Sequence, residues 1–149
     1  MHRLAAIVLL LGPGLGGCAP DVPADCIIDG AAAVSVVRRD SPVAALHDWH
    51  DDVLAIRNLD VVDWPRVDVA IAGVGRTGSR GRPATGRYVS DEQKAVPRGA
   101  LVGFRLLAFE NSRGSRWMPA AMHATTAELS FARDGGTCHA RVLVADPGA

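Results

Sequence analysis

Residues 127–144 read AELSFARDGGTCHARVLV, and this stretch decides the fold. Ala127, Leu129 and Phe131 alternate with Glu128 and Ser130, the two-residue period of a strand with one buried face. Arg133-Asp134-Gly135-Gly136-Thr137 then supplies a turn, because glycine takes the positive φ that a tight connection needs. On the return, Cys138, Ala140, Val142 and Val144 fall on one face. The stretch is therefore predicted to be a β-hairpin with the Cys138 side chain turned toward the core.

Working outward, strand signals recur at turn-marked intervals. Leu101 to Glu110 is strongly apolar and carries Phe104 and Phe109, and Asn111-Ser112-Arg113-Gly114 turns it into Arg116-Trp117-Met118. Val67, Val69 and Ile71 alternate with Asp68, Ala70 and Ala72. Leu59 to Val62 is a further strand candidate, joined to that run through Asp63-Trp64-Pro65-Arg66. Nearer the N-terminus, Cys26-Ile27-Ile28 and Ala31 to Arg38 flank the turn signal Asp29-Gly30, and Val34, Val36 and Val37 favour a strand.

One helix is expected over about residues 41–57. Ser41-Pro42 offers a capping hydroxyl and a proline at the first helical position. Leu46, Trp49, Val53 and Ile56 follow at spacings of three and four, on one helical face. Residues 73–99 hold six glycines and six basic residues against only Asp91 and Glu92, which predicts a long mobile loop with a short strand at Arg87-Tyr88-Val89. The expected fold is mainly β: a small antiparallel β-sandwich, or an antiparallel sheet with one helix packed on it.

The first residues carry a different message. Arg3 and the terminal amine form a short cationic region, and Leu4 to Leu11 is an unbroken apolar run, too short for a permanent span. Small residues lead to Leu15-Gly16-Gly17-Cys18, which resembles the lipobox of bacterial lipoproteins. The resemblance implies cleavage before Cys18, a diacylglyceryl thioether on its sulfur, and permanent attachment through its acyl chains. Ala19 rather than Asp follows, which in the best-known sorting scheme implies the outer membrane, facing the periplasm. The organisation that results is a signal peptide over 1–17, a lipidated Pro-rich tether over 18–25, and one β-rich periplasmic domain over 26–149. With Cys18 assigned to lipid, Cys26 and Cys138 remain, one near each end of the domain. In an oxidising compartment they are expected to form one disulfide.

Charge narrows the function classes. Sixteen basic and sixteen acidic side chains balance over the chain, so no general nucleic-acid role is expected. Gly73, Gly75 and Gly78 spell G-x-G-x-x-G, yet Ser79-Arg80-Gly81-Arg82-Pro83 cannot open the helix on which a pyrophosphate would sit, so no nucleotide partner is expected. The arginines of this region, Arg76, Arg80, Arg82 and Arg87, are the candidate contact surface for phosphate or carboxylate groups on lipids, glycans or an acidic protein. His47, His50 and Asp51 in HDWHDD would share a helix face as a candidate divalent-metal site. No hydrolase signature such as G-x-S-x-G or H-E-x-x-H occurs. The leading expectation is a membrane-anchored, non-catalytic binding or envelope-assembly module without a cofactor, its partner an envelope protein or glycan. A metal-binding lipoprotein and an inhibitor or immunity lipoprotein stand as alternatives.

Overall fold

The computed structural model describes residues 26–38, 52–77, 83–118 and 121–147. The hairpin read from the sequence is its spine. Strand β9 (Met122–Arg133) and strand β10 (Gly136–Ala145) pair antiparallel from Gly136 opposite Arg133 to Leu143 opposite Thr126. Asp134 and Gly135 make the turn with φ of 51° and 77°. On the far side of β9 lies the long strand β4 (Trp64–Thr77), followed by β5 (Pro83–Ser90) and the short β8 (Phe109–Glu110). Strand β6 (Lys94–Val96) pairs with the first residues of β4.

The other side of β10 is taken by the N-terminal strand, in two pieces. Strand β1 (Cys26–Ile27) and strand β2 (Ala32–Val37) both run parallel to β10. Cys26 lies opposite Cys138 but Val34 opposite Val144, so eight residues on one side match six on the other. The surplus is taken up at the Asp29-Gly30 turn, where Gly30 has φ of 71°. Strand β3 (Val53–Asn58) and then β7 (Leu101–Arg105) complete the sheet, which curls into a near-barrel. Cys26 and Cys138 form a disulfide across their register pair, with Cα atoms 4.5 Å apart.

The curled sheet encloses one core. Trp64 stacks on Phe131 with ring centroids 4.0 Å apart, and Leu54, Ile56, Ile71, Phe104, Phe109 and Leu129 are fully buried around them. Two polar knots hold the end where the chain enters, here called the proximal end. Asn58 is completely buried; its amide donates to the Val62 and Val96 carbonyls at 2.9 Å, and its Oδ1 accepts from the Asp60 amide. Its main chain also binds Gly99 and Ala100, so one residue ties two turns together. Beside it, Asp60 accepts from Arg133 Nε at 2.9 Å and from the Trp64 indole at 3.2 Å.

Several expectations are corrected. The part of the expected 41–57 helix that falls on described residues, Val53 onward, is strand β3; residues 39–51 lie outside the described residues. Leu54, Ala55 and Ile56 are buried in succession between β2 and β7, a continuity that a three-four spacing imitates in a sequence. Of the expected loop over 73–99, the described residues are mostly strand: the end of β4, then β5, which contains the expected strand at Arg87-Tyr88-Val89, and β6; residues 78–82 lie outside the described residues. Leu59 to Val62 is a turn rather than a strand, because Asn58 and Asp60 bend the backbone through side-chain bonds. The run from Leu101 to Glu110 is broken by a 3-10 turn at Leu106–Ala108, where Leu106 N donates to the Asp52 carbonyl. Arg116 contributes only an isolated bridge to Glu110.

Candidate binding face

Register lays out the outward side chains of four strands as a grid. Ile27, His139, Ser130 and Asp68 form one row across β1, β10, β9 and β4. Arg141, Glu128, Ala70 and Val89 form the next, and Leu143, Thr126, Ala72 and Arg87 the third. The two alanines of β4 sit between larger neighbours, so the face is hollow there. A groove of about 420 Å³ results, lined among others by Asp68, Ala70, Arg87, Val89, Glu128 and His139.

The charges in this groove are paired but not buried. Glu128 takes Arg87 Nε at 3.3 Å on one side and lies 3.8 Å from Arg141 Nη2 on the other. All three side chains are roughly half exposed or more, so each pair contributes little stability and is free to exchange partners. Asp68 accepts from Gln93 Nε2 at 2.8 Å and stands 3.6 Å from Arg66. The arrangement offers a carboxylate or amide two arginines and a shallow apolar floor.

One pair invites a catalytic interpretation. Ser130 Oγ and His139 Nδ1 are 2.9 Å apart across the β9–β10 ladder. Of the carboxylates in the grid, Asp68 stands opposite Ser130 and Glu128 opposite Arg141, where it is engaged by two arginines, so neither is placed to orient the imidazole as a triad requires. Ser130 also lies in the middle of a strand paired on both sides, where its neighbours' amides belong to the ladders rather than to an oxyanion hole. The geometry is that of a cross-strand hydrogen bond.

The sequence-derived site residues fall in different places. Arg87 is on this face; Arg76 is in β4; Arg80 and Arg82 lie outside the described residues. His47, His50, Asp51 and Cys18 with its tether also lie outside them. Gly73, first glycine of the motif, lies in β4 against the Trp117 indole and the His123 carbonyl, so packing explains it. The residues that sequence reasoning missed are Glu128, His139 and Arg141, whose outward register in the hairpin was the available signal.

At the opposite, distal end a charged cluster ties β2 and β3 to the end of β10. Arg38 donates to Asp146 at 3.1 Å and lies 3.7 Å from Asp52, while the Ala124 amide also binds Asp146. His123 Nδ1 stands 4.0 Å from Asp146. Both carboxylates are buried, so the arginine offsets a desolvation cost that a lone acid there would carry. Among the described residues, no three His, Cys, Asp or Glu side chains gather into a metal-holding group. No family model, curated protein or solved structure matches this chain.

Proposed function

We propose that this is an outer-membrane lipoprotein whose β domain is a non-catalytic binding module, holding an envelope protein or glycan at the membrane surface. The Leu15-Gly16-Gly17-Cys18 motif and Ala19 support the anchor and its location. The observation that carries the binding reading is the hollow outer face, where Arg87, Glu128 and Arg141 stand half paired beside an alanine floor. A partner presenting carboxylates replaces Glu128 as the arginines' acceptor, while an apolar group settles over Ala70.

Two measurements test this. The intact mass of protein made in a bacterium should correspond to a chain starting at Cys18 plus its acyl groups. Tagged protein should then recover a partner from mild-detergent envelope extracts, and Arg87→Glu combined with Arg141→Glu should abolish that recovery while leaving the unfolding midpoint unchanged. Equal recovery by parent and variant refutes the assignment of the face.

A further inference from the structure

The large apolar side chains that stand exposed are unevenly placed. Among the described residues, Leu59, Val61 and Leu101 are 53%, 70% and 54% exposed, and all three lie at the proximal end, beside the bonds of Asn58 to Val62, Val96, Gly99 and Ala100. The other exposed ones among the described residues, Ile27 on the groove face, Val37, Val89, Met118 and Leu143, are scattered over the flanks and the distal end. Single exposed apolar residues are ordinary, whereas a gathered set marks a contact surface.

The proximal set is held rigidly. The Leu59 amide donates to the Ala31 carbonyl at 2.8 Å, and the Asn58 main chain binds Gly99 and Ala100, next to Leu101. The Val61 amide donates to Asp60, which Arg133 and Trp64 fix in turn. A surface built this way loses little conformational freedom when it is covered.

Chain length says what covers it. Seven residues, eight Cα–Cα steps, separate Cys18 from Cys26, and Cys26 is locked to Cys138 at this same end. At 3.3–3.6 Å per residue the tether spans at most about 26–29 Å. The far end of β4 lies roughly 30 Å beyond, at about 3.3 Å per strand residue. With Cys18 in the bilayer, the proximal end would be the part of the domain that the tether keeps nearest to it.

We infer that the proximal end is a bilayer-facing surface, with Leu59, Val61 and Leu101 seated among the lipid headgroups of the membrane that holds Cys18. The inference rests on the anchor reading of Cys18. Arg57 and Arg98 stand at this end, bonded to Gly99 and Asp63, but the carboxylates of Asp63 and Asp134 stand there too. Apolar insertion rather than net charge drives the contact, and it persists on zwitterionic lipid. The grid of Arg87, Glu128 and Arg141 then stands on the flank of the domain, open to a partner.

The test uses the acylated protein in phosphatidylcholine vesicles with brominated acyl chains, which quench nearby indoles. Val61→Trp and Leu101→Trp place reporters at the proximal end and Leu143→Trp places one away from it, each corrected for the parent's own tryptophans. Both proximal indoles should lose about twofold or more of their emission, and the Leu143→Trp indole markedly less, as expected for side chains buried ~5–10 Å into the interface. Equal quenching at all three sites means the domain lies on its flank or tumbles, and overturns the inference. No quenching at either proximal site means the domain is held clear of the lipid, and overturns it as well. An intact mass lacking acyl groups sinks the anchor reading itself and this inference with it, so the two failures are told apart.

Discussion

Replacing Gly73 by alanine adds one methyl group where β4, β9 and Trp117 leave no room for it. The new Cβ would stand 2.6 Å from the His123 carbonyl oxygen and 2.7 Å from Trp117 Cζ3, with Cη2 of the same ring closer still. The His123 carbonyl belongs to the β4–β9 ladder, so the indole is what must move. Trp117 is 1% exposed and meets Tyr88 edge-on at 5.1 Å. A tryptophan buries about 150–250 Å², and returning a third of it to water at about 25 cal/mol per Å² costs roughly 1–2 kcal/mol. Weakening the aromatic pair adds about 0.5–1.5 kcal/mol, which brings the expected loss to about 2–3 kcal/mol. In urea this lowers the unfolding midpoint by about 1–2 M. Gly136→Ala is the control, because its Cβ would meet only the Arg133 carbonyl at an ordinary 3.8 Å. Trp117→Phe removes the ring atoms that collide, so Gly73→Ala should cost less in that background, with a coupling of about 1 kcal/mol or more. A Gly73→Ala protein within about 0.5 kcal/mol of the parent, or strict additivity with Trp117→Phe, would refute the packing account of this glycine.

The remaining predictions concern the staple, an acid-sensitive pair and a guarded edge. Replacing Cys26 and Cys138 together by alanine opens a link between residues 112 apart, and should lower stability by up to about 4–5 kcal/mol in unfolding experiments; reductant on the parent should do the same. Burial alone would raise the Asp60 pKa, but bonds from Arg133, the Val61 amide and the Trp64 indole outweigh it and hold the carboxyl below its ordinary value. Its contribution is therefore fully present above the unfolded carboxylate's pKa of about 3.9 and lost as pH falls through the lower folded value. Asp60→Asn should cost about 1–3 kcal/mol near neutrality and flatten the acid limb of the stability curve; an unchanged limb would assign acid sensitivity elsewhere. Glu92 accepts from the Arg105 amide at 3.0 Å and Lys94 Nζ donates to the Gly103 carbonyl at 2.6 Å, so two side chains occupy the open edge of β7. Glu92→Ala with Lys94→Ala should expose that edge and raise light scattering in concentrated solution, whereas a monodisperse variant would show the edge needs no guard.

What was legible in the sequence followed from period and turn chemistry. Residues 127–144 carry both at once, and the hairpin formed with Cys138 facing Cys26 as expected. The strand at Val67 to Ala72 was read correctly but stopped too early, at glycines that composition marks as loop. The first of them, Gly73, serves strand packing, and the reason is a contact with Trp117 more than forty residues away that no local pattern carries. Val53 and Ile56 misled for a related cause: a strand buried on both faces loses its alternation, and its apolar positions then fit a helical spacing equally well. The outer-face grid was invisible for a third reason. Glu128, His139, Arg141 and Arg87 are ordinary polar residues of three strands, and although the hairpin pattern turns the first three outward, only the pairing register with β4 and β5 brings Arg87 to them.

The N-terminal strand pieces β1 and β2 lie against the last strand of the chain, and that placement sets an order of events. Strand β2 can pair early with its antiparallel neighbour β3, but β1 pairs with residues 138 and 139, so a chain emerging N-terminus first holds β1 and the β10-facing edge of β2 unmatched until almost everything else has been delivered. Pairings this remote in sequence make closure slow, on the millisecond-to-second scale of high-contact-order β proteins. Throughout that interval the polypeptide stays threadable and the Cys26 thiol stays free, and both end in the same step, when the final hairpin arrives to receive the first strand.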